Sequence, residues 1–360
     1  MADPRVEAYA RLLVERCVDV QPGWQVLVRS TPLARPLIEE VIRLIARRGA
    51  YSLLRLNFTP SQLANDPIWA NEAPKERLRE LAPIERYEFD TADAAIVVVA
   101  PENTRDGSDV APERLALLAQ AREPALKRVV NDEIRWVGCY YPTPAAAQEA
   151  GMTLHQFTEL VYDSCLVDWD AERQRMQRIA DLLERSDEVR IVAPGTDLTL
   201  SLAGRPSEVD AGNSNMPGGE VFCCPVEDSV EGEIAFEYPA IRGGYVVEGI
   251  RLRFEAGRVV EASATHDEEY LLATLETDDG AKRVGELGVG CNPAIQRFIR
   301  NTLFDEKIEG TVHLALRRGF EKLSGTNLSA VHSDIVKEMR NGGELYCDGR
   351  VVQRDGRWLM

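Results

Sequence analysis

The chain has 360 residues, 44% hydrophobic and 28% charged. That is a globular composition too long for one ordinary core, so two domains are expected. Fifty-nine acidic residues against 42 basic ones give a net charge of −17, a field that argues against nucleic-acid and membrane partners. Seven cysteines, odd in number and without a Cys-x-x-Cys pair, do not form a disulfide framework, and no apolar run reaches the roughly 18 residues of a membrane span. Met-Ala-Asp-Pro-Arg at the start carries no apolar signal core, so a cytoplasmic protein with reduced thiols is expected.

The first half alternates helix and strand patterns. Asp3-Pro4 is a helix start, with Asp as cap and Pro in the first turn. Val6, Tyr9, Ala10, Leu13 and Cys17 continue at helical spacing. Pro22-Gly23 leads into a strand at Trp24 to Val28. Leu37, Ile38, Val41, Ile42 and Ile45 mark a second helix that Gly49 stops. Strands follow at Tyr51 to Leu56 and at Ala94 to Ala100, the latter a continuous apolar run that predicts a central, doubly covered position. A helix over Glu113 to Ala121 and a strand over Ile134 to Tyr141 complete the alternation of a doubly wound, mainly parallel sheet. No Gly-x-Gly-x-x-Gly or Gly-x-x-x-x-Gly-Lys-Ser/Thr follows a strand, so a nucleotide site is not expected. Glu102 to Gly107 reads as a polar surface loop.

Helical patterns at Thr153 to Cys165 and Asp168 to Arg185 act as a connector, and the division is placed at residue 185. Residues 1–185 are then an α/β domain and 186–360 an α+β, β-rich domain. In the second, Val189 to Ala193 and Leu198 to Leu202 alternate. Tyr245 to Phe254 and Val259 to Ala264 predict a hairpin around Glu255-Ala-Gly-Arg258, and Leu345 to Arg357 another at Asp348-Gly349. Helices are expected at Glu268 to Leu275 and Ala294 to Leu303.

Chemistry concentrates here. Of four histidines, His313 lies in the strand-like Thr311-Val-His-Leu-Ala-Leu316, and His332 precedes Asp334 by two positions. In an extended segment that spacing puts imidazole and carboxylate on one side. Two histidines and an aspartate on short rigid elements are a metal-site candidate. Glu220 stands after Pro217-Gly218-Gly219, and Glu286 among Gly285, Gly288 and Gly290. Each sits in an apolar, non-helical setting where an unpaired carboxylate is costly to bury. Elsewhere, His266 reads as a solvated helix start, His155 as structural, Asp197 as a turn acid and Cys291 as a small buried residue.

Taken together, Asn-Met-Pro-Gly-Gly-Glu-Val-Phe at 215–222, Gly-Glu-Leu-Gly-Val-Gly at 285–290, Gly-Thr-Val-His-Leu-Ala at 310–315 and Ser-Ala-Val-His-Ser-Asp at 329–334 resemble the aminopeptidase T (thermophilic aminopeptidase) family of two-metal peptidases. Arg135-Trp136, Tyr141-Pro-Thr-Pro144 and Thr153 to Asp163 extend the likeness over most of the chain. The resemblance implies that Glu220, Glu286, His313, His332 and Asp334 ligate two divalent ions. Mixed N and O donors suit zinc, cobalt or manganese. It implies hydrolysis of the first peptide bond of short peptides by a homodimer. As the nearby carboxylate base, Glu286 is the candidate to move the proton, which leaves Glu220 to bridge the ions.

Two positions depart from the family pattern. Phe320 stands where the family has tyrosine, which removes an oxyanion donor, and Arg317 stands where the family tends to have glycine. Phe320 is therefore a candidate substrate-binding residue. So is Arg317, for which an inward course (toward a substrate carboxylate, or against a second metal) and a solvent-facing one stand equal. Weakened or narrowed aminopeptidase activity is expected. Two rivals remain: a mononuclear iron ring-cleaving dioxygenase built on His313, His332 and Asp334, and a catalytically silent binding protein.

Overall fold

The computed structural model describes residues 3–59, 67–130, 133–242 and 245–360. The chain forms two compact units, one of Met1–Val167 with Gly212–Pro217, the other of Asp168–Ala211 with Gly218–Met360. The sequence expectation put the division at residue 185.

In the first unit, strands β1 (Gln25–Ser30), β2 (Tyr51–Leu56), β3 (Ala94–Val99) and β4 (Arg135–Tyr140) lie in the order β2-β1-β3-β4, followed by the short segment Asn215–Met216. Every neighbouring pair is parallel, as strand–helix alternation dictates. The apolar run of β3 is central, with Ala94, Ile96 and Val98 buried and the alternate residues half-buried. Helix Pro4–Arg11 starts where Asp3 accepts a hydrogen bond from the Arg5 N–H at 3.0 Å. Helix Arg35–Arg47 buries Leu37, Ile38, Val41, Leu44 and Ile45, one face at helical spacing. The loop after β3 is exposed from Glu102 to Asp106.

The second unit is antiparallel. An eight-stranded sheet runs in the order Arg258–Ser263, Arg251–Glu255, Glu231–Ala235, Thr196–Ser201, Glu188–Ala193, Glu344–Cys347, Arg350–Arg354 and Arg357–Trp358. The expected hairpin turns fall at Ala256-Gly257 and Asp348-Gly349, whose positive φ angles match the two-residue turns that continue a strand's twist. The expected strand Tyr245 to Phe254 is two strands. Tyr245–Val247 pairs with Ala240–Arg242, and Arg251–Glu255 pairs with Arg258–Ser263. Gly249, at φ +64° and pressed against Thr265, turns the chain between them.

Helices Trp169–Glu184 and Glu268–Leu275 are present. The expected helix over Ala294 to Leu303 is not; only Thr302–Asp305 is helical there. The Asp305 carboxylate accepts hydrogen bonds from the Ile299 and Asn301 N–H groups at 2.7 and 2.6 Å, and Arg300 takes φ +63°. Side-chain acceptors have taken the donors a helix needs.

A five-stranded sheet of this unit has strands β5 (Ser207–Asp210), β6 (Glu220–Cys223), β7 (Val284–Gly290), β8 (Thr311–Arg317) and β9 (His332–Glu338), in the order β9-β8-β7-β6-β5. All adjacent pairs are antiparallel, and β7 is buried at every position. All seven cysteines are buried and none is in a disulfide. Phe254, 1% exposed, is one of the larger side chains in the second unit's core. Phe254→Ala is expected to destabilise that unit by about 3–5 kcal/mol, measured as a lower urea midpoint at unchanged slope.

Candidate metal centre

Register alone gathers the candidate residues on one face of the five-stranded sheet. Directly paired residues share a face, and so do residues two apart along a strand. Gly288 pairs with His313, Ala315 with Asp334, Arg317 with His332, and Gly290 with Glu220. Glu286 is the partner of Ala315 beside the irregularity at the start of β7. The same face carries Asp210, opposite Glu220 on β5.

Small residues make the space. A Cβ built on Gly288 would stand 2.1 Å from Cε1 and Nε2 of His313, so the imidazole lies directly over that glycine. A Cβ on Gly290 would meet the Ile308 carbonyl oxygen at 2.0 Å. The glycines that made Glu286 conspicuous in the sequence thus serve close packing around it.

Three of the five expected ligands converge. Glu220, Glu286 and His313 each present an atom within 4.8 Å of the other two, and all three are buried. His313 Nε2 lies 3.3 Å from Glu286 Oε1 and 3.6 Å from Glu220 Oε2. Glu220 Oε2 is buried without a hydrogen-bond partner, an arrangement that a cation completes. Two carboxylate oxygens and an imidazole nitrogen suit a divalent ion.

The other two expected ligands, His332 and Asp334, stand on the adjoining strand and are not in that three-residue cluster. His332 Nε2 is 3.0 Å from Asp334 Oδ2, with the histidine half exposed and the aspartate buried. His155 and His266 are exposed, and Asp197 lies in strand Thr196–Ser201, paired with Arg190.

Sequence reasoning missed Lys307. It is fully buried, 3.1 Å from Glu220 Oε1 and 4.0 Å from Asp210 Oδ2, and it also bonds Glu306. In sequence it sits in Asp305-Glu306-Lys307, which reads as a solvated charge run. Its only signal is that Phe304 and Ile308 flank those charges. Arg317, which the sequence left undirected, reaches inward. Its Nη1 is 2.8 Å from Glu286 Oε2, and its guanidinium lies 4.2 Å over the Phe320 ring. Phe320 in turn packs on Phe222, ring centres 5.4 Å apart.

The electrostatics follow from burial among like charges. Burial pushes the Glu220 carboxyl up to about 8, against the pull of Lys307 and His313. Burial works to lower His313, but its hydrogen bond with Glu286 and the charges of Glu220 and Glu286 outweigh that and carry it up to about 9. Burial works to raise Asp334, but the hydrogen bond and charge of His332, with His313 and Arg317 behind, hold it down at about 2.

A parallel α/β unit joined in one chain to an antiparallel unit that holds a buried carboxylate–imidazole cluster is the build of a metal-dependent enzyme. The sequence profile of the thermophilic metalloprotease (M29) family matches residues 2–358, and the chain belongs to that family of peptide-bond hydrolases. It is 28% identical to aminopeptidase 2 of Geobacillus stearothermophilus, over 99% of this chain and 95% of that protein. Identity to aminopeptidase T of Thermus thermophilus is also 28%, over 99% of this chain and 98% of the relative. The solved structure of wild-type AmpT from Thermus thermophilus superposes with a TM-score of 0.84 at 25% identity, covering 99% of both chains. A 2,5-dihydroxypyridine dioxygenase from Pseudomonas putida shares the fold at a TM-score of 0.65 and 14% identity, over 100% of this chain and 98% of its own.

Gly288→Ala is expected to displace the His313 ring, at a cost of about 1–3 kcal/mol. Thermal melts should show a lower midpoint and a smaller upward shift on adding zinc than in the wild type. Lys307→Met leaves Glu220 without its buried cation, a change that typically costs about 3–5 kcal/mol. Urea unfolding at neutral pH checks the loss, and added divalent ion should restore part of it by replacing the missing charge.

Proposed function

We propose that this metallopeptidase is an aminopeptidase that removes the N-terminal residue of short peptides. The observation that carries the reading is the convergence of Glu220, Glu286 and His313 into one buried donor set, on a fold shared with a named aminopeptidase. Glu220, Glu286 and His313 hold metal, and His332 and Asp334 complete the set for two divalent ions: zinc, cobalt or manganese. When bound, such ions acidify a water and polarise the scissile carbonyl.

The chain's own groups do the rest. Glu286 is screened from solvent and directs Oε1 into the cluster, which suits it to take the proton of the attacking water and pass it to the leaving amine. Glu220, held at Oε1 by Lys307, keeps Oε2 aimed at the same point, where it would serve as a metal ligand. Arg317 and Phe320 form the wall beside Glu286 that the substrate meets, the guanidinium suited to a peptide carboxylate and the ring to apolar side chains. Phe320 supplies no hydroxyl to a developing oxyanion.

The dioxygenase alternative rests on a likeness that shows the fold alone. A two-histidine, one-carboxylate iron site also leaves the convergence of Glu220 and Glu286 without a purpose. Among the described residues no helix is long and apolar enough to cross a membrane. We place the enzyme in the cytoplasm, and its resemblance to the family implies a homodimer.

The test is release of free amino acid from leucine and arginine p-nitroanilides and from di- and tripeptides by the protein loaded with zinc, cobalt or manganese. Slow wild-type turnover is expected, with Phe320→Tyr raising it by up to the roughly 10²–10³-fold that one oxyanion donor typically contributes. Fast wild-type turnover that the variant does not raise refutes the weakening. No N-terminal cleavage by either protein with any of these metals refutes the aminopeptidase reading.

A further inference from the structure

The donors around His313 fall into two groups. Glu220 Oε2, Glu286 Oε1 and His313 Nε2 face one another, and the contacts of Lys307 and Arg317 fall on the other oxygen of each glutamate. Other donors of the expected set have protein partners. Glu220 Oε1 is held by Lys307 at 3.1 Å, Glu286 Oε2 by Arg317 at 2.8 Å, and His332 and Asp334 hold each other at 3.0 Å. A first divalent ion would find these three donors turned toward one point and held by neither Lys307 nor Arg317. A second ion that drew on Glu220 Oε1 or Glu286 Oε2 would compete with the cation already there. It also meets the positive charge of those cations.

The two cations differ in how readily they can leave. Lys307 is fully buried among Glu220, Glu306 and Asp210. Arg317 is 19% exposed, touches only one carboxylate of the centre, and lies over the Phe320 ring at the edge of the site. A guanidinium that leaves Glu286 keeps this aromatic face to stack on.

We propose that Arg317 competes with the second metal ion for Glu286, so that this centre binds its two ions with unequal affinity and frees the guanidinium only when the second arrives. This rests on the metal assignment made above. It adds a role for Arg317: a side chain that reports and limits occupancy of the weaker position. The freed guanidinium is then available to a carboxylate of the substrate, so short peptides with a nearby C-terminus are the class favoured by the fully loaded enzyme.

Isothermal titration of metal-free full-length protein with zinc, and again with manganese, tests it. Wild type should show one tight step and a second at least about tenfold weaker, and Arg317→Met should tighten the second about ten- to hundredfold, the range of a charge-assisted hydrogen bond. The first step should stay within about twofold. Arg317→Lys keeps the charge without the fork and should fall between the two. In manganese-loaded samples, electron paramagnetic resonance should show coupled pairs at lower metal concentration in Arg317→Met than in wild type.

Two wild-type steps of equal affinity overturn the proposal, as does a second step that Arg317→Met leaves unmoved. If Arg317→Met does not fold, equal wild-type steps, or a second step unchanged in Arg317→Lys, still decide against it. Failure to cleave peptides, with unequal metal steps intact, would sink the aminopeptidase reading and leave this one standing.

Discussion

Like charge in a confined space is the constraint on which the second unit depends. Asp210, Glu220, Glu286 and Asp334 stand on one face of a single sheet, all shielded from water, with Glu306 close by. Carboxylates so placed repel one another and lose hydration, so each needs a positive neighbour. Lys307 and Arg317 supply part of that charge. Divalent cations would do the same with fewer groups and more charge. The sheet supplies the rigidity, since antiparallel register fixes which residues face one another, and Gly288 and Gly290 supply the room.

The parallel unit answers a different demand. Its strands run the same way because helices return the chain between them, and its central strand is apolar because both faces are at least half covered. It carries none of the glycine-rich turns that grip phosphate, in keeping with chemistry that is concentrated in the antiparallel unit.

Much of this was legible in the sequence because period and turn chemistry agree with the final structure. The β3 apolar run, the Asp348-Gly349 turn and the helix at Glu268–Leu275 fall where their patterns put them. Glu220 and Glu286 stood out because glycine beside an acid in an apolar segment signals close packing, and the structure shows that packing against Asn292 and His313. What was not legible depends on contacts between distant segments. Nothing in the sequence sets Lys307 apart from its charged neighbours, and only the fold turns it toward Glu220. The direction of Arg317 is set by Glu286 and Phe320, one of which lies 31 residues away. The helix expected at 294–303 failed because the Asp305 side chain binds the backbone there, a competition that helical spacing of apolar residues does not reveal.

The buried thiols bear on the choice of ion. Only a thiolate is a strong ligand for soft metals, and burial raises Cys165 and Cys291 to about 12, so at neutral pH these sulfurs keep their protons. No cysteine sulfur is among the donors that converge with Glu220, Glu286 and His313. Selection among ions is left to oxygen and imidazole nitrogen, which discriminate by size and hardness rather than by affinity for sulfur.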